Sequence, residues 1–325
     1  MGTAKAEMVS PLERRAAAAH RARKALLPWV FNGVMIAVCI LVLIPVLLTI
    51  ATSLKQQTDV QRNPPVLFPC DTPEQGFDPA ACRWSTEGYQ RIMEPRPNSG
   101  LLGVEFAGRM LTTYLPNTIL YALFGSFLVT VLAGMSGYAF SRYRFRGRQA
   151  LMIAILAITG IPLLTNLIAL YQMGVVLRRA LPGYEERLFV TIVYVGFYLP
   201  FSIWIVKSFF DTIPRELEEA SFIDGCSPVG ALWRIVAPLA APGLTAAFLM
   251  TFVGIWNEFI AGYLLVGKPA LRTAMFGLYD FIGQFVIGYQ ILAAGCIVVA
   301  LPVVIMFLFF RKTFFNAMVE GALKG

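Results

Sequence analysis

The chain holds a single histidine, His20, in a basic stretch ahead of the first apolar run, and its five cysteines lack the short paired spacing of a zinc site. No metal centre is expected. Charge is also scarce. Asp, Glu, Lys and Arg make up 14% of the 325 residues against 57% hydrophobic, where a soluble domain carries about 25% charged. That scarcity excludes an ordinary soluble fold and points to an integral membrane protein. No nucleophile is matched with a base in a hydrolase elbow or a metal-binding helix, so a membrane enzyme has no catalytic residues to work with. The nearest approach to a phosphate loop, Gly262 to Pro269, has Pro269 where a magnesium-binding Ser or Thr belongs, and it issues from an apolar span rather than a strand. Nucleotide hydrolysis by this chain is therefore not expected.

What is present is a series of long apolar runs with basic ends. Lys and Arg exceed Asp and Glu by 27 to 19, a net charge of +8. These residues flank the runs instead of forming one continuous face, so they read as topology signals and no nucleic acid is expected as a partner. Arg14, Arg15, Arg21, Arg23 and Lys24 place residues 1–26 in the cytoplasm as a basic tail. A first span, too long for a signal-peptide core, runs from about Leu26 to Ile50, with Pro45 expected to kink it. An external loop over 53–115 follows, rich in proline. Within it Tyr89, Ile92 and Met93 keep helical spacing after Ser85, a candidate cap, so a short helix there rests on the membrane, rests on a partner or is a loop ornament. Cys70 and Cys82 lie in this loop, paired in a disulfide or left as two thiols; Cys39 and Cys296 fall inside apolar runs and read as packing residues.

The second span, about Pro116 to Phe140, ends in a string containing Arg142, Arg144, Arg146 and Arg148, which holds that loop inside. The third, about Ala150 to Val176, is interrupted by Gly160 and Pro162. The fourth covers about Leu188 to Phe210, the fifth about Ala241 to Val266 and the sixth about Val286 to Phe310, where Arg311 and Lys312 stop it inside. The sum is an all-α integral membrane protein with both termini cytoplasmic: a six-helix domain over 27–310 between the tails 1–26 and 311–325.

One polar segment stands out, residues 211–240. Pro214 suits a first helical position, Glu216, Glu218 and Glu219 complement the start of a helix dipole, and Gly225 ends the helix. A second helix starts from Ser227 as cap and Pro228, with Val229, Leu232, Trp233 and Val236 on one stripe. Spacing alone leaves an interfacial amphipathic connector open as a reading.

The residues Glu219-Ala220-Ser221, Asp224-Gly225, Ile235 and Pro238-Leu239 resemble the EAA loop of permease subunits of binding-protein-dependent ABC importers, in particular carbohydrate-type permeases similar to the smaller maltose permease. The string Tyr138-Ala139-Phe140-Ser141-Arg142, with Phe145-Arg146-Gly147, resembles a second landmark of that family, and the ending Glu320-Gly321-Ala322-Leu323-Lys324-Gly325 resembles its tail. Ser221 stands where a second alanine is usual, and Ala237 where an aliphatic residue usually precedes the proline. The resemblance implies the type I ABC importer permease fold, with 211–240 as a cytosolic coupling-helix hairpin. Glu218, Glu219, Ala220, Asp224, Gly225 and Pro238 are then the ATPase-coupling residues.

It further implies a bacterial or archaeal cytoplasmic (inner) membrane and a sugar or oligosaccharide delivered by an external solute-binding protein. A second permease subunit and a dimer of cytosolic ABC ATPases, which bind the ATP and magnesium, complete the expected partners; this chain has no cofactor of its own. A secondary transporter or channel for a small polar solute is the alternative. For the substrate path the candidates are Asn166, Tyr171 and Gln172 in the third span and Trp256, Asn257 and Glu258 in the fifth, Glu258 lying roughly 25 Å along its helix. There the Asn–Glu pair with Trp256 would bind sugar hydroxyls and a pyranose face, or Glu258 would hold two helices together.

Overall fold

The computed structural model describes residues 11–60, 68–72, 76–77, 82–93, 110–282 and 288–322. Most of them are helical. The first helix, α1, runs from Pro11 to Ser53 without a break at Pro28 or Pro45, so helix already begins within the basic tail. A short helix α2 (Gln57–Val60) follows. A two-residue antiparallel pairing of β1 (Asp71–Thr72) with β2 (Gly76–Phe77) lies inside the loop closed by a Cys70–Cys82 disulfide. Then comes α3 (Glu87–Arg91), whose Glu87 amide donates to the Ser85 hydroxyl at 3.2 Å.

That short helix packs against its own chain. Ile92 just beyond it is buried, and the Tyr89 and Ser53 hydroxyls are 2.9 Å apart. A Cβ built at Gly88 would lie 2.6 Å from the Gln290 carbonyl oxygen, so only glycine lets α3 seat at this depth.

A π-turn, Met110–Tyr114, leads into α4 (Leu115–Arg142), with Pro116 in its first turn where a missing N–H is harmless. The third span is divided: α5 (Arg148–Ile158) and α6 (Leu163–Ala180) meet at 89°. The break holds Gly160 and Pro162, and Pro162 both lacks a donor and disfavours helical backbone at Ile161. α7 (Glu186–Phe210) returns to the hairpin, which comprises α8 (Glu216–Ile223), α9 (Pro228–Ala231), a π-turn over Leu232–Val236 and α10 (Ala237–Leu239).

α11 (Ala241–Asn257) then turns 81° away from the hairpin. It stops at Glu258, short of the expected end at Val266, and α12 (Ile260–Leu265) and α13 (Ala274–Asp280) precede the long α14 (Tyr289–Ala322). Among the described residues four helices are long and apolar enough to cross a membrane outright, and the number is six if each of the two bent pairs is one span.

The core sits where α4, α7 and α11 pack together. It divides into two apolar clusters, one around Tyr121, Tyr194, Phe252 and Trp256, the other around Phe140, Val206, Phe210 and Val236 beside the hairpin. α1 is peripheral: 6% of its most apolar stretch is buried, and α14 is its main neighbour. Cys39 and Cys296 are exposed on the outer faces of α1 and α14, so they do not pack the core as expected. In a bilayer such faces meet lipid at no cost to an apolar side chain. The final residues of the C-terminal motif, 323–325, lie outside the described residues.

Candidate functional site

Helix α8 is built from the carboxylates of its first turn. Its opening backbone bonds run from the Glu218 and Glu219 amides to the Arg215 carbonyl, both at 3.0 Å, which leaves Pro214 one residue outside the turn it was expected to begin. At its far end Gly225 has φ +85°, the Cys226 amide reaches back to the Ser221 carbonyl at 2.9 Å, and the Gly225 amide to Phe222 at 3.1 Å. Those paired bonds are the Schellman closure, and the left-handed residue is glycine because a Cβ would be strained there. The Ser227 hydroxyl then accepts from the Gly230 amide at 3.1 Å, with Pro228 next, as the cap pattern predicts.

The three glutamates divide by environment. Glu216 and Glu219 are exposed, whereas Glu218 is 4% exposed and turned inward. It forms an ion pair with Arg142 and accepts from the Tyr138 hydroxyl at 3.1 Å. Arg142 also donates to the Ile213 carbonyl at 3.1 Å, Arg215 donates to the Ser141 carbonyl at 3.1 Å, and the Ser141 hydroxyl donates to Asp211 at 2.6 Å. Asp211 in turn holds Lys207 at 2.5 Å. The Tyr138–Arg142 landmark and the hairpin, separated by some seventy residues, are thus one latch. Buried charges persist only when paired and hydrogen-bonded, a condition met here on both sides. Ser221 is buried, and its hydroxyl is satisfied by the Glu218 carbonyl at 2.7 Å.

The apolar stripe of the second hairpin helix does not hold together. Leu232 and Val236 are buried, but Val229 is 66% and Trp233 47% exposed. The π-turn adds a residue to the turn and rotates the face, which a 3.6-residue count does not anticipate. The outward side instead gathers Leu217, Phe222, Ile223, Val229 and Trp233, with Ala220, Asp224 and Pro238 also exposed.

The substrate-path candidates are not brought into one site. Asn166, Tyr171 and Gln172 are exposed on α6. Trp256 is 1% exposed, stacked on Phe252 with its indole N–H donating to the Val299 carbonyl at 3.2 Å, so it has no face for a sugar. The Asn257 amide donates to Val253 in its own helix at 3.0 Å. Glu258 accepts from the Ala261 and Gly262 amides at 2.9 and 3.1 Å and from the Tyr194 hydroxyl at 3.2 Å, capping α12 and tying it to α7. Of the two readings of Glu258, this geometry matches the structural one.

A residue that sequence reasoning missed is Glu186. It is fully buried at the start of α7, paired with Arg178 at 2.7 Å, and accepts from the Gly267 and Lys268 amides at 2.5 and 3.0 Å. The false phosphate loop thus offers its amides to a carboxylate of its own chain. Nearby, Asn117 donates to the Ala270 and Arg272 carbonyls at 2.7 and 3.1 Å, pinning the same segment. Burial raises the Tyr184 phenol above its ordinary range, and the Arg178 guanidinium lies 5.8 Å from the centre of its ring. One of two adjacent glutamates in a loop of mixed charge, two residues ahead of the expected fourth span at Leu188, carries no signal of burial.

Residues 126–318 match the family described as binding-protein-dependent transport system inner membrane component. The sulfoquinovosyl glycerol transport system permease protein of Agrobacterium fabrum is 32% identical over 220 residues, 68% of this chain and 76% of that protein. The maltodextrin transport system permease protein of Bacillus subtilis is 34% identical over 213 residues, 64% of this chain and 74% of that protein. Among solved structures, a bacterial ABC transporter involved in the import of the acidic polysaccharide alginate superposes with a TM-score of 0.64 at 20% identity, covering 94% of this chain and 99% of its own.

Proposed function

This chain belongs to the family of binding-protein-dependent transport system inner membrane components, and we propose that it is the transmembrane permease subunit of an ABC importer for a sugar or oligosaccharide. Relatives that carry sulfoquinovosyl glycerol and maltodextrin support a carbohydrate. An external binding protein delivers the solute, and a second permease subunit, a different chain, completes the path. A dimer of cytosolic ATPases supplies the energy and holds the ATP and magnesium. The protein sits in the cytoplasmic membrane with both termini inside, the six-helix domain spanning 27–310.

The observation that carries the reading is the two-sidedness of the hairpin 211–240. Its inner side is latched to α4 and α7 through Glu218, Arg142 and Asp211, so it moves with the bundle as a rigid body. Its outer side presents Ile223, 88% exposed, with Phe222 and Trp233. Large apolar side chains exposed together mark a docking surface, and Glu219 beside them adds charge for a basic partner.

The test is co-expression with candidate ATPase, second permease and binding protein, followed by reconstitution. ATP hydrolysis stimulated by solute-loaded binding protein, and retention of one class of sugar by that binding protein, are the expected results. A chain that purifies without any ATPase and transports its solute unaided would sink the proposal and return the alternative of a secondary transporter or channel.

A further inference from the structure

The loop between α4 and α5 carries more positive charge than the latch uses. Arg142 is consumed by Glu218, and Lys207 by Asp211. No ion pair among the described residues engages Arg144 or Arg148. Both line a cleft of about 620 Å³ between the start of α5 and the last turns of α7, together with Lys207, Trp204, Met152 and Ile153. Asp211 lies within reach of this cleft through Lys207, and even so the positive charge exceeds the negative. The indole N–H of Trp204 donates to the Met152 carbonyl at 3.3 Å, which fixes the ring across the α5–α7 seam. From the cleft onward, α5 exposes Ile153, Leu156 and Ala157, which the helical repeat places on one side.

A site that joins unpaired guanidinium groups to an exposed hydrocarbon surface, with a tryptophan at the junction, matches a ligand that is a phosphodiester at one end and an acyl chain at the other. We propose that this cleft binds the headgroup of an anionic phospholipid of the cytoplasmic leaflet, Arg144 and Arg148 contacting the phosphate while a chain lies along α5. Guanidinium groups suit phosphate oxygens by their paired N–H geometry, and basic pockets at the inner ends of membrane helices attract such lipids. Free phosphate would satisfy the arginines but leave the apolar face unused. The inference rests on the proposed topology, which puts the α4–α5 loop inside, and is independent of the solute transported.

The experiment is native mass spectrometry of the delipidated, detergent-purified full-length chain, titrated with dioleoyl phosphatidylglycerol or dioleoyl phosphatidylcholine. The expected result is preferential retention of phosphatidylglycerol, weakened about fivefold by each of Arg144→Gln and Arg148→Gln and about 25-fold by both together. Arg179→Gln, at an exposed cation elsewhere, should leave retention unchanged. In case the variants fold poorly, a photoreactive phosphatidylglycerol is applied to the wild-type chain, and adducts are expected on the peptide spanning 144–153. Equal retention of the two lipids, adducts confined to other helices, or full displacement by excess inorganic phosphate would each overturn the proposal. So would loss of the adduct on adding a cognate ATPase, which would make the cleft a protein contact.

Discussion

Replacing Glu218 by alanine leaves the Arg142 guanidinium in the bundle without its counter-charge, and breaking a buried pair from one side costs about 3–5 kcal/mol. We expect a clear fall in thermal midpoint for Glu218→Ala, with much of the loss recovered when Arg142 is replaced by methionine in the same chain, as a thermal series on purified protein would show. Its neighbour behaves differently. Glu219 is exposed and makes no contact that the bundle needs, so Glu219→Lys should change stability by no more than about 0.5 kcal/mol. It should instead loosen a docked ATPase, and more at low salt than at high salt because exposed charges are screened; ATPase retention on immobilised permease at two ionic strengths measures this. At Glu258 the side chain caps α12 and satisfies the buried Tyr194 hydroxyl. Glu258→Ala should therefore cost about 2 kcal/mol and Glu258→Gln less. Uptake should fall in step with the folded fraction, and a loss of transport in fully folded Glu258→Ala protein would contradict the capping role.

At the scale of elements, the hairpin depends on Gly225. A Cβ built there meets nothing within 4 Å, so the penalty of Gly225→Val is backbone strain alone, about 1–2 kcal/mol. That strain re-aims α9 against α8 while the bundle stays folded. The expected outcome is an assembled complex without solute-stimulated ATP hydrolysis, and normal stimulation would show the hairpin to be a passive connector. Elements whose cause is local were legible in the sequence: the Gly225 closure, the Ser227–Pro228 start, the break at Gly160 and Pro162 and the apolar spans. What depends on distant partners was not. Arg142 could be placed at the inner end of a span, but nothing along the chain pairs it with Glu218. The split of the Val229–Val236 stripe follows from a π-turn, whose extra residue leaves no mark in composition. Trp256 reads the same whether its ring is free or stacked on Phe252, and only packing decides that it is buried.

Over the whole molecule, the segment after α1 is tied on two sides: by the Cys70–Cys82 bridge and by the seating of α3 against α14. Closing a loop with a sequence separation of 12 is worth about 2–3 kcal/mol, and the gain is confined to that loop. Alkylation without reductant should therefore add no mass at these two cysteines. Reduction should add two labels and speed proteolysis of the loop while leaving the midpoint of the bundle unchanged; two labels before reduction would remove the bridge. The peripheral α1 has a consequence of another kind. Its main neighbour is α14, so the first span to leave the ribosome meets its lasting companion only when the last is made. At ordinary rates of elongation that interval is on the order of tens of seconds, during which α1 stays in the bilayer by its own greasiness. A chain that stopped before α14 would leave α1 in the bilayer without its main neighbour.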